Sequence, residues 1–318
     1  MNGKRRPMLV RVLRLAVLGL IVWATYRALA PQIETLRGED LAAVRPNWLL
    51  ILLSTAGVVA VYIVHALLWR RITAALTHVN PPVRNALRVY FVSSLGRYLP
   101  GKLWQLAGMA ALSAEAGIPP AGAIAASILA QVAFMTTGAL LLAVLLPAYG
   151  LAALLAGLGL LAVVIGTFVI LSTERGGKLR HRLAERLGPK LGSALEMVDR
   201  VRPRAAAAWW VYYLASWILL GSAFALFVIA FEPAAAGNAI HLAGTVAASY
   251  LLGYMTPLPA GIGAREGVMA VLLTAVLPPA AAVVVSACSR LWFTAGELLP
   301  LMLIPLLPRP SAVSEVHP

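Results

Sequence analysis

The sequence predicts an all-α membrane protein that crosses the bilayer several times. Of its 318 residues, 61% are hydrophobic and 12% are charged, and the mean hydropathy is +0.85. Soluble domains usually carry about 25% charged residues, so this composition is typical of helices that face lipid. The apolar residues also form long runs, as a spanning helix of about 20 residues requires. We therefore expect a single membrane domain over residues 1–318.

The net charge of +14 is compatible with this membrane setting. In a soluble protein, so basic a chain would suggest a nucleic-acid partner. Here the Lys and Arg residues flank the apolar runs, which follows the positive-inside rule and attracts anionic lipid headgroups. We expect both termini in the cytoplasm, anionic headgroups as partners at that face, and no nucleic-acid partner.

The residue types present point away from several kinds of site chemistry. Cys288 is the single cysteine, which rules out an internal disulfide. The sequence contains no zinc-type Cys/His cluster and no Walker-type loop. We therefore predict no metal, no cofactor and no catalytic residue.

Six apolar runs are interpreted as full spans: 15–30, 48–69, 119–146, 151–171, 207–231 and 280–307. Basic residues before the first run also fit a signal peptide. No clean cleavage motif follows that run, so we expect it to be retained as a span. Trp48 and Trp69 lie at the two ends of the second run, as tryptophans at membrane interfaces do.

Two further apolar regions, about 84–116 and 239–277, are interrupted at their centres by proline and glycine. Proline removes a backbone donor and glycine adds backbone freedom, so an undisturbed helix cannot run through either centre. Each arm of the first region is shorter than the roughly 20 residues of a crossing. We predict two re-entrant helical hairpins; a single kinked span is the alternative for the first. The predicted hinges are Gly96, Pro100, Gly101, Pro257, Pro259, Gly261 and Gly263.

The two halves of the chain, residues 1–159 and 160–318, carry similar landmarks at a constant separation. The matched pairs are Pro100 with Pro259, Pro119–Pro120 with Pro278–Pro279, Ser127 with Ser286, and Gln131 with Arg290. Each half is interpreted as two spans, a hairpin and a further span. Three crossings per half place the second half upside down, and inverted repeats with broken helices are typical of alternating-access transporters.

The polar segment 174–206 is rich in Lys and Arg, and its leucines recur at helical spacing. We predict a basic amphipathic segment that lies on the cytoplasmic leaflet. A positive-inside loop without specific lipid recognition would explain the same charges.

Charged and amide side chains lie inside or beside the apolar regions, where an ion must find a partner of opposite charge. The candidate substrate-binding residues are Arg97, Lys102, Gln105, Gln131, Arg265, Glu266, Arg290 and Glu297. The cations outnumber the carboxylates, so we predict an anionic ligand. A phosphate-bearing headgroup would satisfy several arginines in bidentate fashion. In the structural alternative, Arg265–Glu266 and Arg290–Glu297 pair internally and only lock helices.

Three motifs carry a family resemblance: GRYLPGK at Gly96–Lys102, PLPAGIGAREG at Pro257–Gly267, and SRLW at Ser289–Trp292. At these residues the chain resembles the transmembrane, flippase-type domain of bacterial lysylphosphatidylglycerol synthases and its stand-alone relatives. The resemblance implies a protein of the bacterial cytoplasmic (inner) membrane that moves or binds lipids between leaflets. No synthase domain follows Leu307, so we expect a stand-alone member without synthase activity. The family often has an acidic residue where this chain has Gln131.

The combined prediction is a lipid translocase without catalytic chemistry, whose substrate headgroup crosses a cavity between the repeats. One alternative is a membrane-embedded enzyme acting on lipid-linked phosphate or sugar. Such an enzyme usually needs an acidic cluster, and the candidates Glu115, Glu266 and Glu297 are dispersed in the sequence. Another alternative is a scaffold that recruits a partner through segment 174–206. The expected partners are a membrane lipid, a separate lipid-synthesis enzyme and a second copy of the chain in a homodimer.

Overall fold

The computed structural model describes residues 46–99, 103–145, 203–256 and 259–307, together with the single positions 159, 162, 166, 177, 181 and 182. Every regular element within these residues is a helix, which confirms the predicted all-α class. The predicted span 15–30 lies outside them, as do most of the predicted span 151–171 and most of the basic segment 174–206.

The described residues form eight α-helices and four short 3₁₀ helices. The α-helices are α1 (Trp48–Thr77), α2 (Val83–Ser94), α3 (Leu103–Glu115), α4 (Pro120–Leu145), α5 (Pro203–Phe231), α6 (Ala239–Met255), α7 (Ala264–Leu273) and α8 (Pro279–Leu303). The 3₁₀ helices are Leu95–Tyr98, Pro233–Asn238, Pro259–Gly261 and Ile304–Leu306.

Four of these helices, α1, α4, α5 and α8, are long and apolar enough to cross a membrane. They coincide with four of the six predicted spans. Large apolar side chains such as Trp48, Leu52, Ile218 and Met302 are exposed on their surfaces, as expected where helices contact lipid. The chain is therefore a multi-pass membrane protein, and the total number of crossings stays a prediction.

Helices α1 and α5 pack antiparallel at the centre of the bundle. The Asn47 amide donates to the Ala230 carbonyl at 2.7 Å, and the Ser54 hydroxyl donates to the Ala223 carbonyl at 2.8 Å. A Cβ at Gly57 would lie 2.8 Å from the Cβ of Ala223. Small residues thus let the two helices approach closely, as they do in other membrane bundles. Antiparallel packing is what the predicted inversion requires; the repeat itself stays a prediction.

Helices α2 and α3 lie side by side, and so do α6 and α7. The Ser93 hydroxyl of α2 contacts the Met109 sulfur of α3 at 3.6 Å, and His241 of α6 bonds to the Leu272 carbonyl of α7 at 2.8 Å. The chain therefore turns back within each pair, as a hairpin does. Insertion of each hairpin from one face of the membrane stays a prediction.

An aromatic stack fixes α4 against α5. The ring of Trp217 lies parallel to that of Phe134, with centroids 4.3 Å apart, and its indole N–H donates to the Phe134 carbonyl at 2.8 Å. Trp217 is fully buried, and Gly138 lies directly behind its ring. Glycine suits this position because any larger side chain would meet the buried ring of Trp217.

We expect Gly138→Ala to destabilise the protein, because the new Cβ would lie 2.5 Å from the Trp217 ring. Overpacking of this kind costs roughly 1–3 kcal/mol. The measurement is the thermal unfolding midpoint of the purified protein in detergent. The matched control is Gly267→Ala, another helical glycine, whose Cβ would meet no atom within 4 Å. Equal midpoints for the two variants would show that Trp217 can move.

Candidate functional site

The turn between α6 and α7 has a backbone that favours glycine. Gly261 and Gly263 have φ values of 66° and 85°, in the region that L-residues rarely adopt. A Cβ at Gly261 would also lie 2.8 Å from the carbonyl oxygen of Gly253 in α6. The second hairpin therefore has a tight tip, held against its own first arm.

Glu266 and Arg290 hold this tip in place. The Glu266 carboxylate accepts one bond from the Gly263 amide at 2.7 Å and one from Arg290 Nη1 at 3.3 Å. Arg290 Nη1 also donates to the Ala260 carbonyl at 3.2 Å, and the Ser286 hydroxyl donates to the Glu266 carbonyl at 2.6 Å. Helix α8 is thus tied to the second hairpin by buried polar contacts.

Glu297, two turns further along α8, binds the tip of the first hairpin. Its carboxylate accepts from Arg97 Nη1 at 2.8 Å and from the Tyr98 hydroxyl at 2.9 Å. The Tyr62 hydroxyl of α1 donates to the same carboxylate at 3.1 Å. One helix therefore positions both hairpin tips, one through Arg290 and the other through Glu297.

This pairing corrects the pairs suggested in the structural alternative. Glu266 pairs with Arg290 and Glu297 pairs with Arg97, not Glu266 with Arg265 or Glu297 with Arg290. Consecutive residues on a helix do not face each other. Residues seven apart lie on the same face but are separated by roughly 10 Å along the axis, which is too far for an ion pair.

Arg265 takes part in neither of these two ion pairs. Its guanidinium carbon lies 3.5 Å from the ring centroid of Phe293 and 4.9 Å from that of Tyr250. Within the described residues, no carboxylate lies within 4 Å of this buried side chain. Aromatic faces attract a guanidinium but do not neutralise its charge.

Arg265 and Arg290 leave the same edge of the guanidinium fork without a hydrogen-bond partner among the described residues. In both side chains, Nε and Nη2 are buried and have no hydrogen-bond partner among the described residues. Nε and Nη2 form one side of the planar group, which can donate two parallel bonds to a phosphate or a carboxylate. The charged cluster of Arg97, Arg265, Glu266, Arg290 and Glu297 therefore has three cations, two anions and unused donors.

A polar cavity of about 50 Å³ adjoins the charged cluster. Its polar lining includes Tyr62, Arg97, Gln105, Gln131 and Tyr250. Such a volume holds roughly three or four water molecules. Gln131 Nε2 is buried and has no hydrogen-bond partner among the described residues.

The structure divides the predicted site residues into three groups. Arg97, Arg265, Glu266, Arg290 and Glu297 meet in the charged cluster, whereas Gln105 and Gln131 line the cavity. The predicted hinges Gly96, Pro259, Gly261 and Gly263 lie at the hairpin tips. The remaining residues, Lys102, Pro100, Gly101 and Pro257, lie outside the described residues.

Three aromatic members of the site escaped the sequence reasoning. Phe293 lies on α8 between Arg290 and Glu297, so helical spacing could have suggested it. Tyr62 and Tyr250 belong to other helices and carry no local signal, because aromatic residues are common in apolar spans.

Fold and site together define a multi-pass helical membrane protein with a cationic cluster buried between two broken helical hairpins. The family model described as "Lysylphosphatidylglycerol synthase TM region" matches residues 11–295, so the chain belongs to that family. This match confirms the resemblance carried by the hairpin motifs. No curated protein and no solved structure shows significant similarity to the chain.

We expect Arg290→Met to lower the free energy of unfolding strongly, because it leaves the buried Glu266 carboxylate without its cation. Removing one partner of a buried ion pair costs about 3–5 kcal/mol. The double variant Glu266→Gln/Arg290→Met should be more stable than the single one, because it removes both charges. Denaturant titration in detergent micelles measures all three proteins.

The control for this series is Arg88→Met, which breaks an exposed pair with Glu115 at 3.7 Å. Exposed pairs contribute about 0–1 kcal/mol, so a small change is expected. If Arg290→Met were as mild as Arg88→Met, the pair at Glu266 would not be holding the tip.

Proposed function

We propose that this protein is a lipid translocase of the bacterial cytoplasmic membrane, which binds a phosphate-bearing headgroup in the charged cluster. The observation that carries this proposal is Arg265, a buried guanidinium with no carboxylate within 4 Å among the described residues. A cation at membrane depth requires an anion, and the site residues of the chain do not provide it. An anionic ligand would supply that negative charge.

Phosphate fits the donors that the cluster offers. Arg265 and Arg290 each have an unused Nε/Nη2 edge, and guanidinium groups bind phosphate through two parallel bonds. A single phosphate would satisfy donors from both arginines and supply the missing negative charge. Its lipid origin is favoured because the cluster lies in a bundle whose spanning helices face lipid.

The broken hairpins are suited to movement of a headgroup between leaflets. Irregular backbone at membrane depth is tolerated where it is buried in protein or lines a wet cavity. Interrupted helices near the substrate site are also typical of transporters that alternate between two openings. We propose that the acyl chains stay in the bilayer while the headgroup passes between the hairpin tips, driven by a gradient or by lipid imbalance.

The carboxylates of the cluster favour transport over catalysis on lipid-linked phosphate. Both Glu266 and Glu297 accept bonds from arginine in the structure, so each serves as the anion of an ion pair. A general base would instead need to reach the substrate proton directly. A scaffold role through segment 174–206 predicts that deleting this segment abolishes function, whereas a translocase is only weakened.

We expect Arg265→Ala to slow lipid movement by roughly 10- to 100-fold, because a hydrogen bond to a charged group contributes about 1.5–3 kcal/mol. The measurement is scrambling of fluorescent phosphatidylglycerol in vesicles that contain the purified full chain. Arg265→Lys should be intermediate, because it keeps the charge but loses the planar fork.

Arg88→Ala is the matched control, since Arg88 is exposed and belongs neither to the charged cluster nor to the cavity lining. It should scramble lipid at the wild-type rate. Unfolding midpoints establish that each variant is folded. Equal rates for folded Arg265→Ala and wild type would overturn the headgroup site, and no movement of any lipid would favour the enzyme or scaffold.

A further inference from the structure

We infer that His65 is a proton-binding site on the wall of the polar cavity, and that it takes up one proton when an anionic headgroup binds in the charged cluster. The protein then moves the lipid together with a proton. This inference rests on the proposed function and deepens it, because it names the gradient that drives the lipid.

The hydrogen bonds around His65 decide which ring nitrogen can accept a proton. His65 lies in α1, and its Nε2 is 2.9 Å from the Ser216 hydroxyl oxygen of α5. That hydroxyl donates its one hydrogen to the Tyr213 carbonyl at 2.7 Å, so it accepts the bond from His65. Nε2 therefore carries the hydrogen of the neutral ring, and Nδ1 is the acceptor.

The Nδ1 acceptor is open to the cavity. It has no hydrogen-bond partner among the described residues and, unlike Gln131 Nε2, it is not a fully buried atom. His65 as a whole is 8% exposed and lines the cavity, so the open surface at Nδ1 faces the cavity. The volume of about 50 Å³ holds roughly three or four water molecules, which can bring a proton to Nδ1 or take one away.

His65 is the group around this cavity that titrates near neutral pH. Histidine is the residue type whose ordinary pKa lies near pH 7, whereas tyrosine hydroxyls stay neutral there. No carboxylate lines the cavity within the described residues. The ring of Phe134 on α4 also packs against His65, but it carries no titratable group. The other titratable residues of the lining are Arg97 and four tyrosines, Tyr62, Tyr90, Tyr213 and Tyr250.

The cavity shares its walls with the charged cluster, so a proton at His65 and an anion in the cluster can influence each other. Arg97 and Tyr62 line the cavity and also bind the Glu297 carboxylate. Tyr250 lines the cavity while its ring contacts the Arg265 guanidinium. The same side chains therefore separate His65 from the predicted phosphate position.

Charge balance couples the proton to the headgroup. Without an anionic ligand, a protonated His65 would be a further buried cation in a cavity that already contains Arg97, which is costly. A phosphate diester in the cluster adds a negative charge and favours the protonated ring. Such coupling is reciprocal, so the proton also strengthens binding of the headgroup. The phosphate and the proton together carry no net charge and cross the membrane as a neutral pair.

The proton transfer requires no other chemical change in the protein. Nδ1 takes a proton from cavity water on the acidic side, while the Nε2 hydrogen keeps its bond to Ser216. When the hairpin tips open toward the other side, Nδ1 returns the proton to water and the headgroup leaves. The ring is then neutral again, as it was before the lipid entered.

The test measures net lipid movement in vesicles that contain the purified full chain and carry a gradient of about one pH unit. The probe is fluorescent phosphatidylglycerol, and dithionite bleaches the outer leaflet to report its distribution. We expect accumulation of the probe, by up to about tenfold, in the leaflet that faces the alkaline side. One proton per lipid makes the lipid ratio equal to the proton ratio at equilibrium. Protein-free vesicles give the baseline, and a proton ionophore should abolish the accumulation.

Two substitutions separate proton binding from packing. His65→Gln keeps an N–H donor for Ser216 but cannot titrate, so the probe should spread between the leaflets without responding to the gradient. Ser216→Ala removes the hydrogen bond between α1 and α5 but keeps the titratable ring, so the accumulation should persist. Unfolding midpoints establish that both variants are folded.

A second measurement does not depend on transport. Short-chain phosphatidylglycerol is added to the full chain in weakly buffered detergent near pH 7, and a pH indicator follows the solution. We expect uptake of about one proton per lipid bound by the wild type and by Ser216→Ala, and none by His65→Gln.

The outcomes separate this inference from the proposed function. An equal gradient response in folded His65→Gln and wild type overturns the inference, as does lipid binding by the wild type without proton uptake. Loss of the response in Ser216→Ala as well as His65→Gln would assign His65 a packing role and also overturn it. The headgroup site still stands in these cases if Arg265→Ala slows lipid movement. No movement of the probe by the wild type overturns both.

Discussion

The position of α8 between the two hairpins is the constraint on which the site depends. Arg290 and Glu297 are buried charges on one helix, and each would be very costly without a partner. Glu266 at one tip and Arg97 at the other provide those partners. Because the tips are broken backbone with few regular hydrogen bonds, these ion pairs decide where the tips lie. The site exists where α8 brings the tips together.

The charged cluster combines strong fixation with an incomplete balance of charge. Two ion pairs and the Tyr62 and Tyr98 hydroxyls fix Glu266 and Glu297 firmly. Arg265, in contrast, lies against aromatic faces, and its Nε and Nη2 have no hydrogen-bond partner among the described residues. A cluster that only held the helices together would need no more cations than carboxylates. Arg265 adds a third positive charge to a cluster with two carboxylates. The cluster is therefore a candidate anion-binding site.

Small residues in the surrounding helices let those helices pack closely around the charged cluster. Close contacts at Gly57, Gly138 and Gly253 bring helices together at distances that an added Cβ would not allow. Gly253 in particular lies against the base of Arg265, with 2.9 Å between a Cβ at Gly253 and that of Arg265. The backbone of α6 therefore lies directly against the residue that carries the buried guanidinium.

The sequence by itself determined the membrane class, four of the spans and the breaks of both hairpins, because hydropathy and Pro/Gly chemistry act locally along the chain. It also identified the charged residues that the fold gathers, since ions are conspicuous in apolar runs. Only the tertiary structure decided which charges pair, because pairing depends on how each helix is rotated and packed. Tyr62 and Glu297 are 235 residues apart, and no local pattern joins them. For the same reason, only the packed bundle shows that no carboxylate of the described residues lies within 4 Å of Arg265.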